Sequence, residues 1–401
     1  MGRGTEVIAY ERPMRLGFLL GAGTSLAAGM PSPTDITERV LSGDAWRASD
    51  STYYLGPNPN PDIRDDVTPR VLAFVRTVKA EIDRYYKGWR ASNYEDLYFV
   101  AVQVSESESG YLDNPVVGPF VDRIAPVVQP LLEPSRGGLG KRWRMMDIAA
   151  EAADYIADVA WRMLSPDPAD TSYLRFLVEP LGRPEIDGVD IFTLNHDTIV
   201  EEYLLQQAVE FCDGFDPPIN DVRYWNVDLL EHASVPVRLL KLHGSVNWFD
   251  LSSCREGPAN IPRGADPHRT FDASGTRQIP WVPRPVMLVG RHNKLAEYAL
   301  GIYWELRAQF DKMLSCCRTV AVCGYSFGER GINSRVVDRW LFSDPCRRLV
   351  VIHPEPAELK KQMRGELLLG WDSWLSGGRI VLVEKKAENV TWSDLAEVIR
   401  A

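Results

Sequence analysis

The sequence predicts an α/β protein in which a mostly parallel sheet, covered by helices on both faces, is interrupted by a helical insertion. Three observations predict it. An apolar run, Leu16-Gly17-Phe18-Leu19-Leu20, leads into Gly21-Ala22-Gly23-Thr24-Ser25 and a helix-like stretch from Leu26, which is how a nucleotide-binding βα unit opens. Short β-branched runs recur later in the chain, several followed by helical patterns. Between these two regions the apolar spacing becomes helical, with Pro- and Gly-bearing loops.

In chain order, the segments Val71 to Tyr86, Tyr94 to Ser105 and Trp143 to Leu164 read as helices of the insertion. Sheet-like runs follow at Val189 to Thr193, Val237 to Leu242, Val286 to Val289, Thr319 to Cys323, Arg348 to Ile352 and Arg379 to Val383. Helical patterns at Thr198 to Val209, Tyr298 to Leu314 and Ser334 to Phe342 alternate with them. The expected division is therefore a nucleotide-binding unit of residues 1–43 and 188–401, with a helical insertion, 44–187, as a surface for oligomer or partner contacts. The long Pro-, Gly- and Asp-bearing segment Cys254 to Pro285 reads as an excursion bordering the site. Ligands of such folds sit at the carboxyl ends of the strands.

The 401 residues exceed a typical domain of roughly 100–200, which leaves room for a core and an insertion. Apolar runs are far shorter than the ~20 residues that span a bilayer, and Met1 to Glu11 is polar without a signal-like apolar region. A soluble, cytoplasmic protein without membrane contact is expected. The six cysteines, Cys212, Cys254, Cys316, Cys317, Cys323 and Cys346, form no Cys-x-x-Cys pair and read as free thiols. A net charge of −10 speaks against direct nucleic-acid binding, and the basic stretch Arg136 to Arg144 reads as a solvated loop.

Four motifs stand at strand ends. Gly21-Ala22-Gly23-Thr24-Ser25 lets backbone approach a phosphate at a helix N-terminus, but Leu26 stands where the common dinucleotide fingerprint has a third glycine, and a plain tight turn reads equally well. In Thr193-Leu194-Asn195-His196-Asp197, Asn195 can orient a ribose hydroxyl or a water, and Asp197 can accept from a carboxamide; taken alone, a helix cap is the simpler reading. In Lys241-Leu242-His243-Gly244-Ser245, His243 has the setting of a general base, with an apolar strand before it and a glycine after, although a lone His is more often structural. The fourth motif runs from Cys323-Gly324-Tyr325-Ser326-Phe327 to Ile332-Asn333. There Gly324 and Ser326 can hold a ribose or phosphate, or the segment is merely a strand-to-helix turn.

The ordered set resembles the sirtuin superfamily, specifically the sirtuin-like NADase domains of bacterial antiphage defence proteins. The matches are Gly21 to Ser25 with Gly29-Met30-Pro31, then Asn195 and Asp197, then His243-Gly244, then Gly324-Tyr325-Ser326-Phe327 with Ile332-Asn333. Lys294 and the helix after it also look like this family, and the resemblance covers roughly 16–43 and 189–355. It implies a sirtuin-like NAD-binding fold, with NAD as substrate. Gly21, Ala22, Gly23 and Ser25 would lie against the pyrophosphate side, and Gly324 and Ser326 against the adenosine half. Asn195 would position the nicotinamide ribose or the attacking water, Asp197 would take the carboxamide, and His243 would be the base. His353 stands where sirtuins often place an Asn at the adenosine ribose.

Two departures bear on the reaction. The paired Cys-x-x-Cys zinc module of the protein deacetylases is missing, so no zinc is expected. Pro31 is followed by Ser32-Pro33-Thr34-Asp35 rather than by the deacetylases' Asp-Phe-Arg. The resemblance thus implies hydrolysis of NAD to nicotinamide and ADP-ribose by an antiphage effector. Such an effector is held silent until a self-assembly step, a small activating ligand, or a partner such as an ATPase or argonaute-like sensor releases it. The rival readings are an NAD or ADP-ribose sensor without turnover, a protein deacylase or ADP-ribosyltransferase, and an assembly subunit.

Overall fold

The computed structural model describes residues 14–60, 62, 65–107, 114–133, 142–253, 257–290, 294–363 and 365–400. Met1 to Glu11, Cys254 and most of Arg136 to Arg144 lie outside the described residues. Seven strands form one sheet: β1 (Met14–Leu20), β2 (Ile186–Thr193), β3 (Phe211–Cys212), β4 (Val237–Lys241), β5 (Cys317–Cys323), β6 (Arg348–Ile352) and β7 (Ile380–Val383). Their order is β7-β6-β5-β1-β2-β4-β3 and every pairing is parallel. The chain builds outward from β1 on one side, then crosses back to lay β5, β6 and β7 on the other. The order therefore reverses at β1, and a crevice opens at the carboxyl ends there.

Register explains why both faces need cover. Leu19 pairs with Phe192 and Val322, and Val322 pairs with Val351, giving one apolar face; Phe18 pairs with Ile191 and Ala321, giving the other. The main helices are α1 (Pro33–Ser42), α2 (Val67–Tyr86), α3 (Tyr94–Glu106), α4 (Gly118–Leu132), α5 (Met145–Leu164), α6 (Ile199–Gln206), α7 (Gly301–Ser315), α8 (Glu366–Ser376) and α9 (Trp392–Arg400). The Leu19 face is closed by Leu306, Phe310 and Met313 of α7 and by Leu367 and Trp371 of α8. The Phe18 face is closed by Tyr203 and Leu204 of α6, by Leu395 of α9, and by the short turn Ser172–Leu177. Such a two-sided parallel sheet is the Rossmann-like arrangement expected from the sequence.

Helices α2 to α5 have their own core, in which Val71, Phe74, Leu97, Val128, Ile148 and Ile156 meet Ile36 and Val40 of α1. Helix α1, capped by the reciprocal Ser32 and Asp35 pair, thus hands the chain from the sheet to the helices. Helix α4 was not expected: Pro126 and Pro130 lie inside it and mask its helical period.

One expected strand is corrected. Val286 to Val289 does not join the sheet, because its backbone bonds go to the turn after β4. Ser245 N donates to Val286 O at 3.1 Å, Leu288 N to His243 O at 2.8 Å, and Val286 N to Trp248 O at 2.7 Å. The seventh sheet position is filled by β3, only two residues long. No helix among the described residues is long and apolar enough to cross a membrane.

Candidate functional site

The turns after β1 and β5 lock together at the switch point. Gly21 N donates to Cys323 O at 2.9 Å, Gly23 N to Gly324 O at 2.9 Å, and the Thr24 hydroxyl to Cys323 O at 2.9 Å. The contact requires glycine: Gly324 sits at φ +68°, and a Cβ there would fall 2.1 Å from the Thr24 amide nitrogen. With the Gly21, Gly23 and Thr24 amides spent inside the protein, this turn offers a ligand close backbone approach more than a ring of free donors.

The turn after β2 hangs from its neighbours. Leu194 N donates to Leu20 O and Leu242 N to Thr193 O, both at 2.9 Å. Lys241, buried at the end of β4, donates to the Asp197 carbonyl and pairs with Glu201 at 2.9 Å. The Asn195 amide nitrogen then donates to Gly21 O at 3.0 Å and to Ser25 Oγ at 2.8 Å, and Ser25 Oγ donates to Asp197 Oδ2 at 2.7 Å. The two bonds of the nitrogen fix the amide orientation, and among the described residues Asn195 Oδ1 has no hydrogen-bond donor. Asp197 also accepts from the Ile199 amide through Oδ1 at 3.2 Å, one residue ahead of the Thr198 that caps α6, so it braces the start of that helix as well as anchoring Ser25.

Across from Asn195, His243 is buried at the end of β4, and Gly244 behind it turns sharply at φ +76°, where a Cβ would meet Val286 O at 2.0 Å. His243 Nε2 lies 2.6 Å from the Tyr298 hydroxyl and 3.3 Å from Glu329 Oε1, and Tyr298 donates to that same carboxylate. Lys294 Nζ stands 3.5 Å from Glu329 Oε2 and 3.2 Å from Glu95 of α3. Burial opposes a charge on Glu329, but its neighbours His243 and Lys294, with the hydrogen bonds from His243 and Tyr298, outweigh it and hold the carboxyl well below the usual range. Burial likewise pulls Lys294 down, yet Glu95 and Glu329 together raise it. Burial, with the Glu329 charge beside it, drives the Tyr298 hydroxyl well up, and burial beside His243, Lys294 and Lys241 drives His196 well down.

These groups line one cleft of about 460 Å³, which brings together Gly21, Ala22, Gly23, Ser25, Asn195, Asp197, His243, Gly324 and Ser326. Helices contribute its far wall through Tyr94, Glu95 and Leu164. His353 is not among them: it lines an adjoining cavity of about 430 Å³ with Lys385, Lys386 and Glu388, and its Nδ1 accepts from the Glu355 amide at 3.0 Å. The two cavities share Gly23, Gly324, Tyr325 and Ser326. Sequence reasoning missed Glu95, Tyr298 and Glu329 as site residues. Only Glu329, inside the fourth motif, carried a local signal. Among the described residues no group of three or more His, Cys, Asp or Glu is placed to hold a metal ion.

No protein-family model matches the chain, and no curated protein matches it. Among solved structures it is similar to a Sir2 homologue in complex with NAD, at 13% identity and a TM-score of 0.39 over 96% of this chain and 90% of that one. It is also similar to a Sir2 homologue mutant in complex with ADP ribose, at 12% identity and a TM-score of 0.37 over 96% and 92% of the two chains. A third is Sir2Tm bound to a propionylated peptide, at 10% identity and a TM-score of 0.33 over 96% and 91%.

Proposed function

We propose that this chain is a sirtuin-like, zinc-independent NAD hydrolase that cleaves the nicotinamide–ribose bond to give nicotinamide and ADP-ribose. The observation that carries the reading is that Asn195, with its acceptor oxygen fixed, and His243 face one cleft floored by the two interlocked glycine turns. The adjoining cavity lets an extended dinucleotide run from that cleft past Gly324 and Ser326.

In this reading the pyrophosphate lies along Gly21 to Ser25, and the adenosine half lies over Gly324 and Ser326 toward His353. The nicotinamide ribose sits between Asn195 and His243, and the carboxamide uses the remaining acceptor capacity of Asp197. Nicotinamide departs as a neutral molecule from a cationic pyridinium, so no acid has to protonate it. The protein must stabilise an oxocarbenium-like ribose and orient water. Asn195 Oδ1 accepts from the water or a ribose hydroxyl, and His243 removes the proton, a contribution of roughly 10²–10⁴-fold for a general base. A half-enclosed, partly apolar cleft makes these fixed dipoles count for more than they would in water.

The test is release of nicotinamide from NAD by the purified chain without any acylated peptide. Asn195→Ala and His243→Ala are expected to abolish release while leaving the fold intact by circular dichroism; full activity in either variant overturns the assignment. We read the biological setting, following the motif resemblance, as antiphage defence by NAD depletion in the cytoplasm. The activity would be restrained until self-assembly, a small ligand, or a partner ATPase or argonaute-like sensor releases it. NAD levels in infected cells expressing wild type or H243A, alone and with candidate partners, test that setting.

A further inference from the structure

We propose that Glu329, together with Tyr298, is the positioning residue of His243: the pair fixes a proton on Nε2 and leaves Nδ1 as the nitrogen that accepts the substrate's proton. This rests on the reading of His243 as the base and adds which atom acts and what aims it.

The assignment follows from counting donors. The Tyr298 hydroxyl has one hydrogen, and it donates it to Glu329 Oε1. Its oxygen therefore meets His243 Nε2, 2.6 Å away, as an acceptor. The second neighbour of Nε2, Glu329 Oε1 at 3.3 Å, is a carboxylate oxygen and also accepts only. A ring nitrogen facing two acceptors carries the hydrogen, so the neutral imidazole keeps its lone pair on Nδ1. Among the described residues Nδ1 has no hydrogen-bond partner, and His243 lines the cleft. When Nδ1 takes a proton, the resulting imidazolium already points its other N–H at an ionised carboxylate. This is the orienting logic of a carboxylate behind a catalytic histidine, with the two ring nitrogens exchanged.

Glu329 is itself held from both sides. It begins the short helical turn Arg330–Asn333, where its amide donates to the Tyr325 hydroxyl at 3.2 Å, and Tyr325 in turn donates to Asn333 Oδ1 at 2.9 Å. Lys294 engages its other oxygen and is shared with Glu95, on the helical wall of the cleft. The charged and titratable groups around His243 are thus Tyr298, Glu329, Lys294 and Glu95, with the His196 ring 6.0 Å away. Among them only Glu329 and Tyr298 touch its ring nitrogens. The tie to Glu95 links the groups behind His243 to the helical wall of the cleft.

The experiment uses the full chain labelled with nitrogen-15 histidine, with the His243 signals identified by their loss in H243A. Neutral His243 is expected in the Nε2–H form in wild type and as a mixture of tautomers in Glu329→Gln; Tyr298→Phe, which deletes one acceptor with little change of shape, gives a smaller shift of the same sign. Nicotinamide release measured alongside is expected to drop in kcat by roughly 10- to 100-fold in E329Q, the scale of a lost hydrogen bond to a charged group, with KM for NAD within about twofold. An Nδ1–H tautomer in wild type overturns the proposal, as does E329Q with unchanged tautomer and kcat. The expected tautomer in a wild-type protein that binds NAD without releasing nicotinamide overturns the hydrolase reading and leaves the placement of the proton standing.

Discussion

Gly324→Ala tests whether the two glycine turns hold the site together. The alanine Cβ would lie 2.1 Å from the Thr24 nitrogen, 2.6 Å from the Gly23 carbonyl carbon and 2.7 Å from Thr24 Oγ1. Real contacts of this kind need more than 3 Å, so one of the two turns must retreat by about 1 Å, and both are backbone. Left-handed backbone at a residue with a side chain costs roughly 1–2 kcal/mol, and overpacking adds roughly 1–3 kcal/mol. The expected loss of stability is about 2–5 kcal/mol, read as a lower urea midpoint at unchanged slope. Gly182→Ala is the internal control, since Gly182 also has positive φ, +81°, but nothing lies within 4 Å of its Cβ position. It should cost only the backbone part. A 1 Å retreat of the β1 turn also moves Ser25 and the Asn195 amide it holds, and displacements of that size lower turnover by about 10²-fold. If G324A is no less stable than G182A and releases nicotinamide at the wild-type rate, the interlocked turns do not position the site and the argument from them fails.

Three further outcomes follow from the same contacts. Ser25→Ala removes the bridge between Asn195 and Asp197, a loss of about 1.5–3 kcal/mol for a hydrogen bond to a carboxylate, and is expected to lower kcat/KM for NAD tenfold or more; unchanged kinetics would mean the amide is aimed by Gly21 alone. Arg284→Met strips Asp158 of its charged partner at 2.9 Å, leaving the Tyr53 amide, while the carboxyl, pushed up to about 6 by burial against the pull of Arg284, stays inside the helical core. A folded-state value above the unfolded one means that stability is present at low pH and lost as pH rises through 6. R284M should therefore unfold about 3–5 kcal/mol more easily at pH 8 and recover part of that at pH 5. His196 shifts the other way: burial keeps it neutral, so its contribution is present above the ordinary histidine range and lost as pH falls below about 6.5. His196→Gln should flatten that acid-side decline in the urea midpoint, and an unchanged slope would show that another group carries it.

The sheet was legible because most of its strands are short apolar or β-branched runs and four of them end in a motif, a pattern that a parallel sheet buried on both faces leaves. The exceptions have physical causes. Val286 to Val289 has strand composition, but His243, Ser245 and Trp248 take its backbone bonds, and composition does not say which partner a backbone group finds. Strand β3 is too short for any period to show, and Pro126 and Pro130 hide α4. The helix-like stretch read from Leu26 is a single turn, Leu26–Ala28, and the helix itself starts at Pro33, where Ser32 and Asp35 cap it.

The site divides along the same line. Gly21, Asn195, His243 and Gly324 could be picked out because each stands immediately after a strand, where the fold alone fixes the address. Glu95, the Lys294 and Tyr298 pair on one helical turn, and Glu329 come from three separate places, and only folding places the Lys294 ammonium between two carboxylates from opposite walls. Local motifs of this kind reveal the groups that would meet a ligand, because those are set by strand ends. The groups that would decide where a proton sits are set by long-range packing. His353, also readable from its strand-end address, lies beyond the shared wall of Gly324 and Ser326 in the adjoining cavity, with Nδ1 accepting from the Glu355 amide. A strand-end address therefore fixes which crevice a residue borders, and long-range packing fixes which part of that crevice it reaches.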